Sequence, residues 1–188
     1  MRFGGHMSAA GGLATAIDRI EAIGGDCVQL FTQSPRMWRP TAHTPEAIEL
    51  FRTRRAEAGI DGVVCHALYL VNLAASDDLV YEKSITAMRA TMDTANAIGA
   101  DAVIFHVGSH LGAGPEAGHE RVVAALRQIL ERADGSTWLL MENSAATTRS
   151  CPASGPAPRC EPTWKMTASA SIAFAVSIVA RIAVIDFS

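Results

Sequence analysis

Four residues able to hold a metal ion, His6, His66, His106 and Glu142, each close a short run: "RFGGH", "GVVCH", "AVIFH" and "WLLME". Neutral imidazole and carboxylate suit a divalent cation such as zinc, and three protein donors with one open position form the usual catalytic zinc site. A cation held that way polarises a substrate oxygen and acidifies a bound water, which favours hydrolysis. Taken singly, a histidine at a strand end is more often just a capped polar residue. Repetition on four runs raises a shared site to an equal reading.

Side chains so far apart in sequence meet only if the runs are parallel strands whose C-terminal ends open on one face. The strands expected from the pattern are Arg2–His6, Cys27–Phe31, Gly62–His66, Ala102–His106 and Trp138–Glu142. Amphipathic stretches lie between them. "GGLATAIDRIEAIGG" places Leu13, Ile17 and Ile20 at helical steps and stops on Gly24 and Gly25. "TPEAIELFRTRRAEAG" opens with Thr44 as N-cap and Pro45 at the first helical position. A third helix is expected to start from Ser76, with Asp77 and Asp78 in its first turn and Leu79, Ile85, Met88, Met92 and Ala95 along one face. "GPEAGHERVVAALRQILERADG" repeats the pattern with Val122, Val123, Leu126, Ile129 and Leu130. Four strand–helix alternations and a fifth strand predict an α/β fold with a parallel sheet, and both a barrel and an open sheet satisfy the pattern.

Loops after the strands carry a second set of chemistry-bearing residues. "LFTQSPRMWRP" supplies Arg36, Trp38 and Arg39, and "HALYLVNLA" supplies Tyr69, Leu70 and Asn72. Arginines beside aromatics on one face can hold phosphates and stack on or wedge between bases. The alternative is that Trp38 and Leu70 pack the loops onto the sheet rim while the arginines stay solvated. "FHVGSHLGAG" adds Ser109 and His110 in a glycine-bearing loop that could approach a phosphate through its backbone amides. His43 and His119 lie in polar surroundings, are expected to be solvated, and receive no role.

The chain has 188 residues, 49% of them hydrophobic, enough for one sizeable core. Sixteen Lys and Arg against nineteen Asp and Glu give a net charge of −3, so any contact with nucleic acid must come from a local patch. The four cysteines, Cys27, Cys65, Cys151 and Cys160, have no CxxC spacing, which fits reduced thiols in the cytoplasm. No run of signal-peptide type opens the chain. The apolar end "SIAFAVSIVARIAVIDFS" is broken by Arg181 and Asp186 and falls short of the roughly 18–20 apolar residues of a membrane span.

The segments "GGHMSAAGGL", "LFTQSPRMWRP", "HALYLVNLA", "FHVGSHLGAG" and "MENSA" together resemble the endonuclease IV family, the family 2 apurinic/apyrimidinic endonucleases, in order and spacing. The resemblance implies a xylose-isomerase-like (β/α)8 TIM barrel, here an incomplete one of about five strands. It also implies a DNA-repair endonuclease, using three zinc ions, that hydrolyses the phosphodiester 5′ to an abasic site in double-stranded DNA. On this basis His66, His106 and Glu142 are expected metal ligands, with Glu142 also a catalytic bridging carboxylate. Arg36, Tyr69 and Leu70 are expected DNA contacts, and His6 and His110 pocket residues. An abasic nucleotide flips readily because it has no base to unstack.

The pattern breaks after "MENSA". Residues 146–188 contain neither the Asp-x-Cys-His nor the Asp-x-His motif with which the family continues, and "CPASGPAPRC" belongs to a stretch rich in Pro, Ser, Ala and Thr. Residues 1–145 are therefore expected to form a partial barrel. Residues 146–188 are expected to form a disordered or irregular non-family tail, the product of a frameshift or truncation. One zinc site at most would be largely retained, with impaired cleavage by a monomer. The alternatives are another xylose-isomerase-like metal-dependent sugar enzyme, or an inert fragment binding one zinc at most.

Overall fold

The computed structural model describes residues 2–131 and 136–142, and residues 182–185 as backbone. Among these residues, strand and helix alternate as β1 (Gly4–His6), α1 (Thr15–Ala22), β2 (Cys27–Phe31), α2 (Pro45–Glu57), β3 (Gly62–His66), α3 (Asp78–Ile98), β4 (Ala102–His106), α4 (Pro115–Leu130), β5 (Trp138–Glu142) and β6 (Ile182–Ile185). Strand order in the sheet is the order of the chain, and every adjacent pair is parallel. This is the α/β fold anticipated from the sequence, built as a partial barrel.

A sixth strand extends the sheet beyond the five expected. Ile182–Ile185 pairs with β5, Leu139 opposite Ile182 and Glu142 opposite Ile185. The rest of the expected irregular tail lies outside the described residues.

Strand alternation divides the work between two faces. Val28, Leu30, Val63, Cys65, Val103, Phe105, Leu139 and Met141 point to the helices and form the buried core with Ile17, Ile20, Phe51, Met88 and Ile129. The intervening residues, among them Gln29, Phe31, Val64, Ile104 and Leu140, are half-buried on the opposite, inner face. That face carries a cavity of about 340 Å³ lined by Gln29, Val64 and Ile104 together with Cys27 and His6.

The helices follow their sequence signals with two adjustments. Thr44 caps α2 through its side chain, which accepts the Ala47 N–H at 3.3 Å. For α3 the cap is Asp77 rather than Ser76; its carboxylate accepts the Val80 N–H at 2.9 Å, so the helix begins one residue later. Leu79, expected on the buried face, is 63% exposed, while Tyr81 and Ser84 are buried in line with Ile85, Met88, Met92 and Ala95. The geometry explains this: six residues at about 100° each place Leu79 about 120° away from Ile85 around the helix.

At the opposite end of the sheet from the strand-final histidines, Asp101 ties three strands together. Its carboxylate accepts the Val63 N–H at 2.8 Å and the Arg55 guanidinium at 3.0 Å, while its carbonyl accepts the Trp138 N–H at 2.9 Å. Registers of β3, β4 and β5 are thereby fixed where the strands begin, and the donors at their far ends inherit that alignment.

Candidate metal centre and its rim

Strands β3, β4 and β5 each end on an inner-face side chain, His66, His106 and Glu142, and the paired register sets His106 directly opposite Glu142. One donor atom from each of the three lies within 4.8 Å of the others. Glu142 Oε2 is 3.4 Å from His106 Nδ1 and 3.7 Å from His66 Nε2. These separations are long for hydrogen bonds. They match the roughly 3.4 Å between two ligands on one tetrahedral zinc at about 2.1 Å.

The protonation pattern suits a cation. His66 Nδ1 lies 2.6 Å from the carbonyl of Ala67, which can only accept, so Nδ1 carries the hydrogen and Nε2 turns its lone pair toward Glu142. Burial is the main cause that lowers the His66 pKa, with the neighbouring His106 adding to it against the raising effects of Ala67 and Glu142. The ring is thus held neutral, its ligand form. His106 Nδ1 is buried with no hydrogen-bond partner among the described residues. An orphaned buried nitrogen beside a carboxylate and a second imidazole is a set of donors that a divalent ion satisfies.

An aromatic cluster encloses the imidazoles. The Phe31 ring, at the end of β2, lies 4.6 Å from His6, 5.1 Å from His66 and 5.1 Å from Tyr69, centroid to centroid. Tyr69 contacts His66 edge-on at 5.6 Å and stacks over His106 at 6.2 Å. Phe31 carries no donor, so metal chemistry at strand ends does not single it out; its strand-final position on the same face is the signal the sequence offers. His6 stands apart from the three donors, its ring 6.2 Å from that of His66, and burial lowers its pKa.

The rim combines buried and exposed residues. Tyr69 is 57% exposed, and its N–H donates to the carbonyl of Pro35 at 3.1 Å, which joins the loops after β2 and β3. Arg36 and Arg39 are exposed on the first of these loops. Trp38 and Leu70 are half-buried against the core, which fits the packing alternative. His110 Nδ1 accepts the N–H groups of Gly112 and Gly114 at 3.3 and 3.2 Å and shapes the loop after β4.

His43 and His119 are not solvated as expected. Both are half-buried, and His43 Nε2 donates to the carbonyl of Thr32 at 2.6 Å. His119 Nε2 is buried on α4, a placement that local polarity in the sequence does not reveal.

A family model for the xylose isomerase-like TIM barrel matches residues 17–159. The probable endonuclease 4 of Nitratidesulfovibrio vulgaris strain DP4 is 44% identical over 144 residues, which cover 76% of this chain and 51% of that protein. The crystal structure of endonuclease IV from Thermus thermophilus superposes with a TM-score of 0.70 at 36% identity, over 79% of this chain and 54% of that one. A xylose isomerase domain protein from Planctomyces limnophilus shares the fold at 18% identity and a TM-score of 0.57, over 75% and 53% of the two chains. The chain spans about half the length of the curated relatives it matches. It belongs to the xylose isomerase-like TIM barrel family, and within that family its likeness is to endonuclease IV.

Proposed function

We propose that this chain carries part of the active centre of a zinc-dependent DNA-repair endonuclease that hydrolyses the phosphodiester 5′ to abasic sites in duplex DNA. The observation that carries the reading is the convergence of His66, His106 and Glu142 on the face where Tyr69 and Arg36 are exposed. When bound, zinc would neutralise phosphate charge and acidify water. His66 Nε2, His106 Nδ1 and Glu142 Oε2 would hold it. Arg36 would contact the backbone, and Tyr69 with Leu70 would fill the gap left by the missing base.

One three-donor set is present among the described residues. The chain would therefore hold at most one zinc and cleave weakly beside members of the family that carry the full cluster. It would act as a monomer in the cytoplasm, where free thiols such as Cys27 and Cys65 persist. A sugar-directed activity has less support, because a small pocket needs no exposed arginine and tyrosine at its mouth, and the likeness to the sugar-related structure rests on fold alone.

The test is metal analysis of the purified full chain together with nicking of a duplex containing one abasic site. Bound zinc, with nicking lost on chelation and in Glu142→Gln, is expected. A folded protein that takes up no zinc and leaves the duplex intact would overturn the proposal.

A further inference from the structure

The loop after β3 and the loop after β4 are joined by one side chain. Asn72 Oδ1 accepts the N–H of Ser109 at 2.9 Å and of Ala74 at 3.1 Å, and Asn72 Nδ2 donates to the carbonyl of Ser109 at 3.0 Å. The amide thus pairs with both polar groups of residue 109, as a neighbouring strand would. Beside it, the Leu73 N–H donates to the carbonyl of Val107 at 3.1 Å. Asn72 is itself held from below, its N–H donating to Ser84 Oγ at 2.9 Å, whose hydroxyl donates to the carbonyl of Val80 at 2.7 Å.

The clasp is close-fitting on its other side. Gly108 has φ of 89°, and a Cβ there would stand 2.0 Å from Asn72 Oδ1. A residue with positive φ and no room for a side chain is kept only where the backbone must approach closely.

Placement gives the clasp its meaning. Three residues before Asn72, Tyr69 lies over the His106 ring, and three residues after His106, Ser109 receives the amide. We propose that Asn72 is a positioning residue of the metal centre: its amide locks the loop that lays Tyr69 over His106 to the segment that follows His106. Asparagine alone suits the task. Aspartate of the same shape loses the donor and turns a negative oxygen toward the Ser109 carbonyl, and glutamine is one methylene too long.

The inference rests on the metal-centre reading, and cobalt(II) tests the two separately. The full chain is titrated with Co²⁺ and followed by its d–d absorption, beside thermal melting of the metal-free protein. Asn72→Asp is expected to weaken cobalt affinity about tenfold and to alter the band shape, the range found when groups supporting a metal ligand are removed. Should Asn72→Asp fail to fold, Asn72→Ser keeps an acceptor for the Ala74 N–H and loses only the pairing with Ser109; the same change is expected. A folded variant with wild-type affinity and spectrum would overturn the positioning role. A wild-type protein that binds no cobalt would overturn the metal centre, and the inference with it.

Discussion

The ring of Tyr69 lies nearly parallel to that of His106, 15° between planes and 6.2 Å between centroids. An exposed aromatic residue thus lies against a half-buried imidazole whose Nδ1 is buried, and the rim and the candidate metal centre share a contact. Changes at the rim should register at the metal. Tyr69→Ala is expected to weaken zinc binding measurably, in a calorimetric titration, while leaving the melting temperature of the metal-free protein nearly unchanged, since the side chain is largely exposed.

Zinc should stabilise the fold through the three donors. At a free concentration about one hundred times Kd, one bound ion adds about 2.7 kcal/mol. Thermal melts with and without zinc check this, and Glu142→Gln is expected to remove most of the increment, because the carboxylate faces both imidazoles.

Acid should destabilise the metal-free protein through His66. Its folded pKa is lowered by burial, so between that value and the ordinary one near 6.5 the unfolded chain binds the proton more readily than the folded one. Stability is then complete above about pH 6.5 and falls as pH drops toward the folded value. Urea midpoints at about pH 7.5 and about pH 5.5, on either side of the ordinary value, measure the slope, and His66→Gln is expected to flatten it. His6 is shifted in the same direction, mainly by burial, and adds a part that survives the substitution.

Arg36 should contribute to DNA affinity without contributing to the fold. Arg36→Ala is expected to weaken binding to any duplex and to reduce the slope of log K against log salt by about one, the mark of one lost phosphate contact. Binding measured at several salt concentrations decides it; an unchanged slope would remove Arg36 from the interface.

Helix α2 depends on two residues of very different burial. Phe51 is the one buried side chain within it, at 0% exposure. Phe51→Ala should cost about 3–5 kcal/mol. Thr44→Ala, which removes a cap, should cost about 1 kcal/mol. Denaturant unfolding of both variants compares the two mechanisms in one element.

Much of this was legible in the sequence because strand length and strand-final residue are local properties. β2 through β5 run over the residues anticipated, each from a short apolar stretch closed by a turn signal, and three of the strand-final residues meet. β1 is shorter than expected, starting at Gly4 rather than Arg2. What sequence could not convey is contact between loops. Asn72 was visible as a polar loop residue, but its pairing with Ser109 depends on two loops 37 residues apart arriving side by side. Phe31 has no chemistry of its own; its part emerges only once three other rings surround it. The shift from Ser76 to Asp77 at the start of α3 reflects two adjacent residues that can both cap, between which only three-dimensional reach decides.

The alternation of faces along the strands constrains how this protein can vary. In β4, Val103 and Phe105 serve the core while Ile104 and His106 serve the cavity side. Deleting a single codon upstream within that strand would turn the phenyl ring to the cavity side at the level of Ile104, leave Val107 opposite Glu142 and drive the imidazole among the helices, so both faces would fail in one step. Individual positions can drift, as the 44% identity to a relative illustrates. Strand length cannot drift with them, and descent with change has to proceed here by exchanging letters rather than by adding or dropping them.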